Sequence, residues 1–573
     1  MTSRATFAAA TLLVAGIAGF AWTQLLPPRG PSTPSVVRWA TEGTTRFKAG
    51  APAAMNLELV AGSRGLRKGA ELRIGYPHWA YGARGVGVPQ GAESYGFGHW
   101  YVVHRLRERI APSAVTSIPL PLMLVPRSAG LGFAPMVWLD WNLLDGPELA
   151  VIEPEEPVRL AVVAPSFVTP GSAFEVGVRL EDRWGNPAGI APTRQPVAGI
   201  AEPGIHRVER VVEFGGETFI GTSNPFLVED DVPLIAWVDL HGHSALSDGR
   251  GTPAEWYTHA RETAFLDGAA LSDHDWQLDD EEWDDLFGGT DEANDPGKFV
   301  ALRAAEMTIH GHEVAYFNNT PELEAAVRGS RPGARTIWEE TDLGRRVAVP
   351  TDILGRIDPQ SVLLATHTSL APDMGTTFPL SNPHPEHSLL EIYSAHGSSE
   401  CDTCPRRVGG GALTADEEVS SVQDALDAGF RGAFLAAGDS HDGHPGTSSW
   451  GAYRGGLTAL EVDELSQAGV IDALRAGRSY ATTGERTILQ TQWEEHAVRF
   501  RVLAETDVEA VEVISDGGVT TGHLSNPEPG VWLRIEGLQN ARWRYLRVVL
   551  PNGARAWSSP WFSAGPSSSS AKR

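Results

Sequence analysis

Apolar and polar positions change rhythm three times along this chain, and each change predicts a different kind of module. From about Arg38 to Glu153, short apolar runs are broken by Gly and Pro and carry aromatic clusters at Trp79-Ala80-Tyr81 and Trp138-Leu139-Asp140-Trp141. That pattern predicts a β-rich domain with aromatics in its core. Beyond the Glu153–Pro157 boundary, Phe174, Val176, Val178 and Leu180 alternate with Glu175, Gly177, Arg179 and Glu181, the two-residue period of a strand buried on one face. The turn Trp184-Gly185-Asn186-Pro187 closes it, and further strands up to about Val228 predict a small immunoglobulin-like sandwich.

Between 232 and about 485 the period alternates. The runs LIAWVDL (234–240), FLDGAAL (265–271), FVALRAAEM (299–307), SVLLAT (361–366), SLLEIYS (388–394) and GAFLAAGDS (432–440) read as strands. Helix-like segments at 254–264, 416–429 and 465–477 fall among or after them. Such alternation predicts a largely parallel α/β sheet or barrel with its site at the carboxyl ends of the strands. The acidic run Leu278 to Asp291 reads as a solvated helix face, because it lacks the spaced oxygens and Gly of a calcium loop. From about Thr487 the β pattern returns: Val498, Phe500 and Val502 alternate with Arg499 and Arg501, and Trp543 and Tyr545 with Arg542 and Arg544. The expected division is an N-terminal targeting segment (1–30), a β-rich domain (31–155), a sandwich (156–231), an α/β unit (232–487), a small β domain (488–563) and a Ser-rich disordered tail (564–573).

Composition narrows the function. The formal charge is 46 − 72 = −26 over 573 residues, so most of the surface repels a polyanion and nucleic-acid binding is not expected. The two cysteines, Cys401 and Cys404, cannot build a thiolate zinc site and predict at most a local bridge. Arg4 followed by the uncharged stretch Ala5 to Pro28 predicts export, through either a cleaved signal peptide or an uncleaved anchor. The expected location is therefore periplasmic, extracellular or anchored facing outward, and the only membrane contact expected is through that anchor.

Candidate chemistry concentrates in the α/β unit, where 12 of the 18 histidines lie between His241 and His444. His241 and His243 follow the first strand of this unit, and residues two apart in an extended segment face one side. Asp248 closes the next turn. Asp273 and His274 follow the second run, Glu306 ends the third, His367 follows SVLLAT, and Asp439 and His441 follow GAFLAA. Parallel strands bring those five ends to one rim, the arrangement a metal cluster needs. Imidazole and carboxylate without thiolate suit Zn, Mn or Fe.

In this order, H-x-H…S-D-G, S-D-H-D, a Glu, a His after an apolar strand and D-x-H, the chain resembles the PHP (polymerase and histidinol phosphatase) superfamily over about Trp237 to Trp450, and its layout resembles a large exported branch of it. The resemblance implies a distorted (β/α)7 barrel and two or three divalent ions. Their ligands would be His241, His243, Asp248, His274, Glu306, His367, Asp439 and His441, with Glu306 bridging two ions. It also implies one more ligand between Glu306 and His367, for which His312 is preferred over His310 because it precedes a new apolar run. Ser244 stands where Thr is commoner, and Thr368 where many members have Pro. The implied activity is a phosphoesterase in which a metal-bridging hydroxide attacks a small-molecule or surface phosphoester. Glu306, His396 and Asp273 are the candidate catalytic residues, and Arg406, Arg454 and Glu400 the candidate substrate contacts, with Arg345, Arg346 and Arg407 as further cations. Glu391 is expected to support the site. Two alternatives stand beside this reading: hydrolysis of a non-phosphate ester, lactone or amide, and a non-catalytic surface binding protein.

Overall fold

The computed structural model describes residues 33–40, 46–75, 87–97, 101–140, 142–231, 233–275, 278–308, 312–317, 362–366, 387–401, 403–405, 421–449 and 453–563. The expected targeting segment, tail, His367, His310 and Arg406, together with Arg345, Arg346 and Arg407, fall outside them. Among the described residues, no helix is long and apolar enough to cross a membrane.

Residues 33–153 form antiparallel sheets of three and five strands and a small mixed sheet, whose inward positions Leu57, Leu59, Leu72, Ile74, Ile118 and Leu120 share one core. Residues 159–228 form paired small sheets and a hairpin around Val162, Val176, Val178, Leu180 and Phe226. The strand Phe174–Glu181 departs from its expected half-burial, for Gly177, Arg179 and Glu181 are buried as well. Its second face docks on the α/β unit instead of meeting water. A β-carbon at Gly177 would stand 2.3 Å from the Phe265 ring, and the Arg179 guanidinium donates to the Thr263 carbonyl at 2.5 Å while pairing with Glu181.

The α/β unit begins with strand β1 (Leu234–Asp239), followed by α1 (Pro253–Thr258), β2 (Gly268–Leu271) and α2 (Asp280–Ala293). Then come β3 (Val300–Thr308), β4 (His312–Phe317), β5 (Val362–Thr366), β6 (His387–Ser394), α3 (Val422–Asp427) and β7 (Ala433–Ala436). The antiparallel β8 (Leu457–Val462), α4 (Gln467–Arg475) and β9 (Ser479–Thr482) complete it. Helix starts follow sequence chemistry: Thr252 with Glu255, Asp279 with Glu282 and Ser421 with Asp424 form reciprocal caps. In α2, Trp283, Leu286, Phe287 and Thr290 are buried at helical spacing and the acids face outward, so the acidic run is a solvated face.

Strands β1 to β7 pair in chain order. One core takes Val238, Ala270, Leu302, Val314, Leu363, Leu389 and Leu435, a side chain from each of them. The run also returns on itself, because Gly242 after β1 bridges Ser440 after β7 in parallel. A regular (β/α)7 barrel is nonetheless not what the described residues show. β3, β4 and β5 pair antiparallel, and few helices accompany the strands. The three residues between β3 and β4 are too short for a crossover helix, so a hairpin is the available connection. That hairpin is harmless to the rim: β4 starts where β3 ends, and β5 again runs with β3, so the carboxyl ends of the other six strands share one edge.

The C-terminal strands do not stand apart. Arg555–Ser558 pairs with β9, Ala481 opposite Trp557, and extends the same sheet into the last module. Arg501, expected to face solvent between Phe500 and Val502, is buried in a two-pronged pair with Glu229 of the sandwich at 2.7 and 2.6 Å.

Candidate metal centre

Among the described residues, backbone bonds tie the rim ends of β1, β2, β3 and β7 to their neighbours. The His243 amide donates to the Ser440 carbonyl (2.8 Å), Ser272 to Gly242 (2.8 Å) and Glu306 to Ser272 (3.1 Å). Buried Asp239 ties the two ends of the strand run together, accepting from the Gly438 and Gly446 amides, both at 2.7 Å. Its carboxyl is pushed up to about 7 by burial, against those two donors. Asp439 adopts φ of +47°, a left-handed conformation that an Asp reaches at a cost of order 1–3 kcal/mol and that concentrates at functional positions.

The result is a buried convergence of His241, His243, Asp248, His274, Glu306, Asp439 and His441. Two subsets bring their donor atoms within 4.8 Å of one another: His243, Asp248, His274 and His441; and His241, His243 and Asp439. Glu306 joins them, with Oε2 3.4 Å from His241 Nε2, 3.1 Å from His243 Nε2 and 3.2 Å from His274 Nδ1. Asp439 Oδ1 lies 3.5 Å from His241 Nε2 and 3.2 Å from His243 Nε2. Asp248 Oδ1 lies 3.6 Å from His274 Nε2 and 3.3 Å from His441 Nε2.

Those separations fit shared cations. Two ligand atoms on one tetrahedral ion at ~2.1 Å stand about 3.4 Å apart, and the distances fall around that value, mostly beyond the ~2.8 Å of a charge-assisted hydrogen bond. Three buried carboxylates facing each other would be costly without positive charge between them. In the ion-free site the imidazoles supply it. Burial draws His243 down, yet the Asp439 and Glu306 carboxylates hold it up at about 10, and Asp439 and Glu391 likewise raise His241 despite its burial.

Outer partners orient this set. Glu391 on β6 sits 2.8 Å from His241 Nδ1, which leaves Nε2 to face the cluster. Asp273 lies outside the ligand set: it accepts from the Ser244 amide and hydroxyl (2.8 Å each) and from Ser247 Oγ (2.5 Å). It shapes the turn that presents Asp248, and Ser244 keeps the hydroxyl this needs. The contact of Ser247, 3.4 Å from His243 Nδ1, went unnoticed in the sequence, as did the bracing role of Asp239; its place at the end of the strand, two residues before His241, is the one signal that marked the latter. His396 reaches Asp439 Oδ2 at 2.8 Å and, with 20% of its side chain exposed, faces the mouth.

Two of the expected substrate contacts, Glu400 and Arg454, lie among the described residues. Glu400 is fully buried, accepting from Tyr545 OH and Arg547 (2.8 Å each) and pairing with Arg555 at 3.4 Å. The last module has claimed its charge. Arg454 is exposed, and its carbonyl accepts from Tyr393 OH at 2.9 Å; among the described residues no hydrogen bond links its guanidinium to the cluster. Cys401 and Cys404 form the expected local disulfide. The His312 backbone begins β4, opposite Thr308 at the rim end of the hairpin. A separate cleft of about 410 Å³ lies where the first two modules meet the α/β unit, lined by Leu131, Pro187, Glu255, His259 and His444 among others and by none of the cluster's ligands.

No family model matches the chain. It is 24% identical over 476 residues to uncharacterized proteins of Chlamydia trachomatis and Chlamydia muridarum, covering 70% of this chain and 73% of each. An uncharacterized protein of Chlamydia pneumoniae is 23% identical over 373 residues, 58% of this chain and 57% of that one. Among solved structures, a two-domain protein from Bacteroides vulgatus containing a predicted PHP-like metal-dependent phosphoesterase aligns with 96% of its length to 57% of this chain, at 14% identity and a TM-score of 0.32. At that score the likeness fixes neither fold nor activity.

Proposed function

We propose that the chain is an exported metal-dependent hydrolase whose strand run is a helix-poor variant of the PHP-type barrel and whose substrate is a phosphoester. The observation that carries this reading is the cluster itself: three carboxylates and four imidazoles, buried at one rim and spaced as ligands sharing cations. His241, His243 and Asp439 would hold one ion, and Asp248, His274 and His441 another, with Glu306 Oε2 between the two sets. His312 and His367 remain further expected ligands, and two or three ions are expected in all. Zn, Mn or Fe bound there would acidify a water and neutralise charge on a phosphoryl group. Glu391 fixes the His241 tautomer. His396, 2.8 Å from Asp439 Oδ2, would hold a proton on Nε2 for the leaving oxygen, with Asp439 as its acceptor until substrate enters.

The test is elemental analysis of the full chain beside a His241→Ala/His274→Ala variant, then turnover of bis-p-nitrophenyl phosphate, p-nitrophenyl phosphate and p-nitrophenyl acetate by the metal-loaded protein. Two or three ions per chain, mostly lost in the variant, with turnover of a phosphoester, is the expected result. Turnover of the acetate alone would replace the phosphoester by a carboxyl ester. Less than one ion per chain after metal is added back, unchanged in the variant, would sink the hydrolase reading.

A further inference from the structure

The N-terminal β region sends one loop, residues 128–132, into the back of the rim, where it meets the residues flanking two ligands. Arg250, two positions after Asp248, is buried and donates to the carbonyls of Ser128 (3.0 Å), Gly132 (3.2 Å) and Leu131. Asp442, next to His441, accepts from Ser128 Oγ at 2.5 Å and from the Ser449 amide at 3.1 Å. His444 Nε2 stands 2.8 Å from the Ala129 carbonyl. The loop is thus gripped from the Asp248 side and from the His441 side.

Local shape is fitted to this grip. Leu131 occupies space that a β-carbon on Gly443 (φ +72°) would invade at 2.2 Å, and one on Gly251 (φ +77°) at 3.0 Å. The sandwich holds the loop from behind: the Ala129 amide donates to Asn186 Oδ1 at 2.8 Å, and Asn186 Nδ2 donates to the Arg127 carbonyl at 2.7 Å. A planar guanidinium satisfying three carbonyls of one turn admits few alternative loop positions. Because Asp248 lies within two residues of Arg250, a shift of this loop is a shift of a ligand.

We infer that loop 128–132, gripped by Arg250 and Asp442, is a positioning element for the Asp248, His274 and His441 half of the metal centre, so that the N-terminal β region is a working part of the site. The inference rests on the metal-centre reading above. Outer partners of metal ligands typically change ion affinity by about 10–100-fold, and this loop should act through Asp248 and His441 in the same way.

The experiment uses the full chain as wild type, Ser128→Ala and Arg250→Met, with Arg501→Met as a control at a different domain junction. Each is loaded with Co²⁺; the ion count, the dissociation constants and the visible absorption of bound Co²⁺ are measured, and near-UV circular dichroism reports folding. Expected are folded variants in which one class of ion binds at least tenfold more weakly, with a changed Co²⁺ spectrum, and the others are unaffected. The Arg501→Met control should keep all ions. If Arg250→Met does not fold, Ser128→Ala decides, since it removes a single hydroxyl. Wild-type ion count, affinity and spectrum in the folded variants would overturn the inference while leaving the metal centre intact. A wild-type chain that binds no Co²⁺ would overturn the metal-centre reading and this inference with it.

Discussion

Glu391 offers the sharpest test of how the centre is tuned. It is 1% exposed, projects from β6, and holds His241 Nδ1 at 2.8 Å, while the opposite nitrogen faces Glu306 and Asp439 at 3.4 and 3.5 Å. Glu391→Ala removes a charge-assisted hydrogen bond in a buried site. Bonds to charged groups contribute ~1.5–3 kcal/mol, so the affinity for the ion on His241 should fall about 10- to 150-fold. Glu391→Gln keeps an acceptor but loses the charge and should cost roughly half as much free energy. Competition between the protein and a chromophoric chelator for Zn²⁺ measures this directly, in the order wild type, Gln, Ala. Wild-type affinity in Glu391→Ala, or weaker binding by Gln than by Ala, would refute the idea that Glu391 orients and polarises His241.

Three further expectations come from the same geometry. Glu400→Ala strands Arg547 and Arg555, and with Glu512 still holding Arg547 at 2.7 Å the loss should be about 3 kcal/mol, read by denaturant unfolding followed through Trp543 and Trp557; a raised KM at unchanged stability would return Glu400 to substrate binding. Gly177→Val drives a side chain into the Phe265 ring and should loosen the sandwich from the α/β unit, seen as faster limited proteolysis between residues 181 and 234; an unchanged cleavage pattern would contradict that packing. Ion uptake must displace the protons held by His241 and His243, the latter at about 10, so affinity should rise about tenfold per pH unit for each proton released below that value. The ion-free chain has the opposite sign: the charged His243 contributes most below its unfolded value of ~6.5 and loses that contribution as pH rises towards 10. Calorimetric Zn²⁺ titrations in buffers of different ionisation enthalpy count the protons, and none released at pH 7 would contradict the raised histidines.

The rim cluster was legible because its signal is local. A strand end is an apolar run that stops, and a His, Asp or Glu at such a stop needs no knowledge of the partner strands. The burial of Gly177, Arg179 and Glu181 on the second face of Phe174–Glu181 was not legible, since Arg179 and Glu181 have the alternation of a solvent face and become interior only when Phe265 and Thr263 arrive from another module. The surroundings of Glu400 were hidden for the same reason. Its loop position beside the mouth suggested substrate, whereas Tyr545 and Arg547, some 150 positions later in the chain, decide its environment. The β3–β4 hairpin was within reach, because three intervening residues exclude a helical crossover, but the shared α/β rhythm of the region hid it.

Distant partners also decide how much of the chain the site needs. Ala395, beside His396, is buried in the same core as Leu57 and Ile118 of the N-terminal region, and Glu400, four residues past His396, is fixed by the C-terminal module. The mouth imidazole is therefore held between two flanking modules, and the Asp248–Arg250 turn by a third contact, the 128–132 loop. Trp237 of β1 donates to Ser166 Oγ at 2.9 Å, and β9 is paired along Tyr480–Thr482 by the C-terminal strand Arg555–Ser558. A chain cut to residues 232–487 would leave β9 as an open edge and expose the Phe265 and Ala395 contact faces, the conditions for edge-to-edge association. It should elute as aggregate in gel filtration, and a monomeric fragment with the full ion count would show that the flanking modules are dispensable to the centre.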